Sequence, residues 1–186
     1  MRTVMYGMHV TVDGFIESAS GDLNWSSPDE ELHQYFNDLE REIEMSLYGR
    51  GLYENMAGYW PAAREDPNTP PVEMEYANIW CAQPRVVFST TLKEAAWAQK
   101  IVRENVAEEV LRLKEQGNGL LSVGGAGLAA SLSQMGLIDE YWLYIHPVIL
   151  GGGKRFFGPL EEQINLELVE NRKIGARVLM LRYRKV

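Results

Sequence analysis

The residues of this 186-residue chain that could do chemistry sit mainly at glycine-rich junctions. One is "SVGGAGLAASL", Ser122 to Leu132, between an apolar strand end and a run that reads as a helix. Its glycines allow either a tight turn or a close approach of backbone to a ligand, and free N–H groups at a helix start attract anions. The dinucleotide fingerprint Gly-x-Gly-x-x-Gly is absent, and Asp139 and Glu140 come too early to serve as its acidic partner. "YGRGLYE" has the same layout: a strand ends, Gly49 turns, and a helix opens with Arg50 and Gly51. Arg50 there suits bidentate phosphate contact, or is an ordinary surface arginine. Two such junctions could clamp a pyrophosphate from opposite sides. "FSTT" puts Ser89, Thr90 and Thr91 at the carboxyl end of a buried strand, where open α/β sheets bind ligands. Those hydroxyls could take an adenosine phosphate or simply end the strand.

"HPVILGGGKRFF" is not a Walker A loop, because Lys154 is followed by Arg155 and no glycine stands five positions before Gly153. Its glycines could bring backbone near a flat ring, with Lys154 and Arg155 meeting a substrate phosphate; the plainer reading is a wide turn with solvated cations. His9, His33 and His146 show no metal spacing and read as ordinary strand or helix histidines, so no metal site is expected. Asp13 follows the first strand in "DGF", at the sheet end shared by the other motifs. Asp29, Glu30 and Glu31 crowd a helix start. Glu30 completes a Ser-x-x-Glu capping box with Ser27 as N-cap and Pro28 as first helical residue, or faces a pocket to hold a protonated ring nitrogen.

The elements that must position these groups alternate. "TVMYGMHV", "MSLYG", "PRVVFSTT", "NGLLSV" and "DEYWLYIHPVIL" read as strands. The helices are "SSPDEELHQYFNDLEREIE", with an apolar stripe of Leu32, Tyr35, Phe36, Leu39 and Ile43; a short one after Gly49; "NVAEEVLRLKEQG", closed by Gly117; and "GGAGLAASLSQMG". "AAWAQKIV" fits a helix or a short strand. Residues 61–71, with four of the eight prolines, read as a surface excursion, and "INLELVENRK" with "ARVLMLRYRKV" as a closing hairpin. This order predicts an α/β domain over 1–186, with a mixed, mostly parallel sheet, helices on both faces and a C-terminal antiparallel hairpin.

A net charge of −8 argues against a nucleic-acid partner, one cysteine allows no internal disulfide, and no apolar run is of signal-peptide or membrane-span length. A cytoplasmic protein is expected, without nucleic-acid or membrane partners. The long apolar stretch Tyr141 to Leu150 and the hairpin suggest an exposed sheet edge or face, hence a homodimer.

"DGFI", "NW", "YGRGLYE", "VVFSTT", "VGGAGLAASL", "GLIDEYWL" and "HPVILGGGKRFF", in this order over nearly the whole chain, resemble the dihydrofolate-reductase-like family. The chain is most similar to the branch containing the reductase domain of the bifunctional deaminase–reductase of riboflavin biosynthesis and its stand-alone relatives. The resemblance implies a three-layer fold with NADPH across the carboxyl edge of the sheet, and an oxidoreductase acting on C=N or C=O groups. In the riboflavin branch that activity is 5-amino-6-(5-phosphoribosylamino)uracil reduction. It further implies that Gly49, Arg50 and Gly51 meet the cofactor phosphates from one helix start, and Gly124, Gly125, Ala126, Gly127 and Leu128 from the other. Ser89 and Thr90 would sit by the adenosine 2′-phosphate with Arg50 as counter-charge. Trp25, Gly152, Lys154 and Phe156 would lie near nicotinamide and substrate, and Asp13 or Glu30 would relay a proton. The three acids at 29–31 are no clean match for the single pteridine-binding carboxylate of folate reductases. A non-catalytic nucleotide-binding module is the competing reading.

Overall fold

The computed structural model describes all residues, Met1–Val186. In chain order the elements are β1 (Thr3–Thr11), β2 (Phe15–Glu17), a 3-10 turn at Asn24–Ser26, α1 (Glu30–Glu42), β3 (Ile43–Gly49), α2 (Arg50–Glu65), α3 (Pro71–Ala82), β4 (Arg85–Phe88) and β5 (Lys100–Val102). There follow α4 (Val106–Glu115), β6 (Leu120–Gly124), α5 (Ala126–Gln134), β7 (Glu140–His146), β8 (Lys154–Arg155), β9 (Leu166–Ile174) and β10 (Val178–Lys185). Eight strands form one sheet in the order β5-β4-β3-β6-β1-β7-β10-β9. The six strands from β5 to β7 in that order run parallel, and β10 pairs antiparallel with both β7 and β9. No helix is long and apolar enough to cross a membrane.

Strand alternation divides the core. Val4, Tyr6 and Val10 of β1, Leu47 of β3 and Leu121 and Val123 of β6 pack under α4 and α5, against Val110, Leu113, Ala129 and Leu132. The opposite side chains of the same strands meet α1, α2 and α3: Met5, Trp142 and Tyr144 under Leu32 and Leu39, and Tyr48 beside Tyr53 and Trp80. The central strands carry Gly7, Ser122 and Gly124 on this second face. A cavity opens where those small residues leave the sheet bare.

Several local expectations change. The cap of α1 is Asp29, not Ser27: the Asp29 carboxylate accepts from the Leu32 N–H at 2.8 Å and from the Ala176 N–H of the β9–β10 turn at 3.1 Å. Those N–H groups hold the carboxyl below its ordinary range. Ser27 instead turns its hydroxyl to the Asn24 carbonyl, and the Ser27–Glu30 capping box does not form. Ile43 opens β3 directly after α1, with no loop between them. α2 runs 16 residues, through Pro61, so half of the supposed surface excursion is helical. Pro71 begins α3 at its first helical position, where a missing N–H costs nothing. The ambiguous stretch before Arg103 resolves as the short strand β5. Gly117 has no left-handed φ; α4 ends at Glu115 with Gln116 as its cap, and Gly117 is small because a Cβ there would lie 2.8 Å from the Arg2 guanidinium. β7 stops at His146, before Pro147, and lies between β1 and β10. The stretch 141–150 is therefore no sheet edge; the sheet ends in β5 on one side and, on the other, in β9 of the closing hairpin.

Candidate functional site

Two helix starts meet at the carboxyl end of the sheet. Gly49 precedes α2 and Gly125 precedes α5; a Cβ on Gly125 would lie 3.8 Å from the Gly49 nitrogen. Gly125 has φ +100°, which glycine alone adopts without strain. Neither helix has a side chain capping it, so the N–H groups of both first turns have no side-chain acceptor. Paired in this way, the two positive helix ends make a seam suited to anions. Gly51 and Gly127 leave open space where a side chain would stand, whereas a Cβ on Gly124 would overlap the Tyr48 ring and Leu52.

On one side of the seam lies a cleft of about 420 Å³ that brings together Gly49, Arg50, Ser89, Thr90, Gly127 and Leu128. Arg50 reaches Thr91 at 3.2 Å, and the Ser89 hydroxyl accepts from the Thr91 and Leu92 N–H groups at 3.2 and 3.0 Å, which shapes the turn after β4. Arg103 lines the same cleft. No local pattern marks Arg103, since it stands in a loop after a three-residue strand.

On the other side lies a cavity of about 390 Å³, walled mostly by apolar side chains of α1, α2 and the central strands, with Leu52 and Gly124 at the seam. Glu40, His9 and His33 also line it, and sequence reading singled out none of them for chemistry. Burial pushes the Glu40 carboxyl up to about 7, although Gln83, the Arg85 charge and Tyr76 pull the other way. Its Oε1 is buried with no hydrogen-bond partner. His9 Nδ1 lies 2.7 Å from His146 Nε2. Burial, His146 and His33 together push His9 down to about 3, so it is neutral at ordinary pH. Burial and Arg177 lower His146 as well. Trp25 stands edge-on to His146, ring centroids 5.4 Å apart, with its indole N–H buried and unpartnered.

The remaining expected residues are placed elsewhere. Asp13 accepts from the Thr11 hydroxyl at 2.6 Å and the Leu150 and Gly151 N–H groups at 3.2 and 2.7 Å. The Thr11 bond above all, with those two N–H groups, lowers its pKa. It anchors the glycine loop and does not line the cavity. Glu30 is exposed at the start of α1 and also lies outside the cavity lining. Phe156 is buried against Tyr6, centroids 4.4 Å apart, in the core beneath α4 and α5, on the sheet face opposite the cavity. Lys154 pairs loosely with Glu17 at 3.8 Å and lines a separate shallow cleft with Ala126 and Gly127. Gly152 sits in the loop between them, and Gly153 is glycine because a side chain would strike the Glu17 carbonyl.

A seam suited to anions, between an apolar cavity and a cleft bearing cations and hydroxyls, lies at the carboxyl edge of a mostly parallel sheet in a three-layer α/β domain. The family described as the RibD C-terminal domain matches residues 2–180, and the chain belongs to that family. YyaP, an uncharacterized protein of Bacillus subtilis (strain 168), is 34% identical over 98% of this chain and 94% of its own. A protein of Shewanella sp. PV-4 assigned to riboflavin biosynthesis has a similar structure, with TM-score 0.78 and 20% identity over 99% of both chains. The dihydrofolate reductase of Enterococcus faecalis, complexed with NADP(H) and RAB-propyl, superposes with TM-score 0.55 and 15% identity over 98% of this chain and 96% of its own. The fold is thus the three-layer one of dihydrofolate reductase.

Proposed function

We propose that this protein is an NADPH-dependent reductase that delivers a hydride to a C=N or C=O carbon of a small heterocyclic, carbonyl or imine substrate. The observation that carries this reading is the seam: two uncapped helix starts, Gly49 and Gly125, abut where the cleft and the cavity meet. Family membership and the NADP(H) complex of the Enterococcus faecalis reductase support it.

The residues fit the cofactor. Gly49, Gly51, Gly124, Gly125, Ala126, Gly127 and Leu128 would hold the pyrophosphate on backbone N–H groups. Arg50, Arg103, Ser89 and Thr90 would hold the adenosine 2′-phosphate. When bound, NADPH supplies the hydride. The chain's own part is to align the reacting carbon and exclude water, which the walls of the cavity do. Proton delivery was expected from Asp13 or Glu30. Neither lines the cavity, whereas His9 does, and its short bond to His146 gives a path for a relay in which His146 passes its Nε2 proton to His9 Nδ1 as His9 gives up its Nε2 proton and His146 regains one at Nδ1, so that both rings stay neutral. Trp25, beside His146, would wall that path. We also propose that the chain acts as a cytoplasmic homodimer through the open edge of β9, where Leu168 and Val169 are exposed; light scattering showing a monomer at micromolar concentration would remove this claim.

The test is a titration with NADPH and NADH, followed by tryptophan quenching. NADPH is expected to bind at least tenfold more tightly than NADH, with Arg50→Ala and Arg103→Ala each reducing that preference. Binding of neither dinucleotide would sink the reductase reading.

A further inference from the structure

The cavity has an unusual charge inventory. Glu40 is its one carboxyl, His9 and His33 are its other titratable side chains besides Tyr48 and Tyr76, and no lysine or arginine lines it. The cations nearest in the fold serve elsewhere. Arg85 donates to the Trp80 and Trp97 carbonyls, lies 3.8 Å over the Trp80 ring and acts on Glu40 by its charge without lining the cavity, and Arg50, Arg103 and Lys154 line other clefts. A buried carboxyl oxygen without a donor costs free energy that a ligand's N–H can recover. A phosphate brought to the same wall would lose its water, gain no counter-charge and face a carboxyl.

We propose that the cavity takes a flat, largely apolar substrate whose cationic or N–H-donating nitrogen is held by Glu40, and that it refuses a phosphorylated one. The ring would lie among Phe36, Leu52, Met56 and Trp60, over the bare stretch of sheet at Gly7 and Ser122. The volume, about 390 Å³, suits one or two fused rings. This rests on the cavity being the substrate side of the proposed reductase, and sets the chain apart from reductases acting on phosphoribosyl compounds. Phosphate recognition is then confined to the helix-start seam and the Arg50 cleft. The groups facing the Glu40 carboxyl are Tyr76 of α3, Tyr48 of β3, Gln83 and Arg85, with His9 and His33 across the cavity.

Calorimetry on the full chain without dinucleotide tests this, with benzamidine as aromatic cation and phenyl phosphate as matched anion. Benzamidine should bind saturably in the millimolar range, and Glu40→Gln should weaken it at least tenfold. Phenyl phosphate should neither displace benzamidine nor respond to Glu40→Gln. In the wild-type chain, benzamidine binding at pH 6 should release a proton, read as a dependence of the apparent enthalpy on buffer ionisation, and should release none at pH 8.5. That measurement needs no variant and therefore stands if Glu40→Gln folds poorly. Absence of benzamidine binding, equal affinity in a folded Glu40→Gln, or displacement by phenyl phosphate would each overturn the proposal. Dinucleotide binding is measured separately, so failure here leaves the reductase reading intact, whereas loss of dinucleotide binding would be read in that titration and not in this one.

Discussion

Replacing Glu40 by glutamine should make the protein more stable, and only above mildly acidic pH. The carboxyl is pushed from an ordinary 4.5 to about 7 by burial. A carboxyl raised in this way binds more protons folded than unfolded between those two values. Its contribution is therefore fully present below pH 4.5 and is lost as pH rises through about 7. At about 1.4 kcal/mol per pH unit of separation, the loss amounts to roughly 3 kcal/mol at pH 8. Glutamine keeps the shape and cannot ionise, so the stability difference between variant and wild type should grow by about 3 kcal/mol from pH 4.5 to pH 8. In a chain of this size that is about 6–12 °C in Tm at the higher pH. His9 acts with the opposite sign, its stabilising neutrality being lost as pH falls from 6.5 through about 3. It is present in both proteins and cancels in the difference. Urea unfolding at pH 4.5, 6 and 8 reads the effect in the midpoint, with m unchanged. Parallel pH profiles for the two proteins would refute the idea that Glu40 is held uncharged, and with it the reason for expecting a ligand donor there.

Other expectations concern the seam and the loop. Gly125→Ala meets no atom closer than 3.6 Å, so its cost is conformational, about 1–3 kcal/mol for a side chain forced to φ +100°. Thermal unfolding reads that cost, and a simultaneous fall in dinucleotide affinity is expected because the α5 start shifts. Asp13→Asn removes the ionised acceptor of the Leu150 and Gly151 N–H groups, so amide exchange at those two positions should speed up at neutral pH. In the wild type the same loosening should appear only as pH falls below the ordinary carboxylate range, since the Asp13 pKa is lowered.

The parts of the site made by local backbone chemistry were legible in the sequence. A strand followed by glycine and then a helical pattern describes Gly49–Arg50 and Gly124–Gly125 correctly, because helix starts are set by a few consecutive residues. Their convergence is a matter of sheet order, β3 beside β6, which follows from the parallel α/β plan. The His9–His146 pair was not legible. The two lie on adjacent parallel strands with His9 opposite Tyr144 and Thr11 opposite His146, and they share a face only through a register that no local pattern specifies. Ser27 was preferred as cap because Ser-x-x-Glu is a local signal. Asp29 wins because it serves the α1 start and the distant Ala176 N–H together.

Glu40 and α3 escaped notice for a common physical reason. In "NDLEREIE" the glutamate looks like one more charge on a solvated helix face. What buries it is α3, whose "VEMEYANIWCA" has no single apolar stripe to announce a helix. A helix packed against both α1 and α2 is covered on more than one side, so its apolar residues need not line up. Asn37 fastens α1 to it, donating to the Val72 carbonyl at 2.9 Å and to Glu75 at 2.7 Å, and Tyr76 then closes over the cavity wall beside Glu40. α1 also runs into β3 without a loop, and the Glu40 Oε1 there is buried without a hydrogen-bond partner. A fold that needed only to close its core would set a leucine at that position. Retaining a carboxyl there, at a cost of about 3 kcal/mol above neutral pH, is what the requirement for a ligand's nitrogen explains.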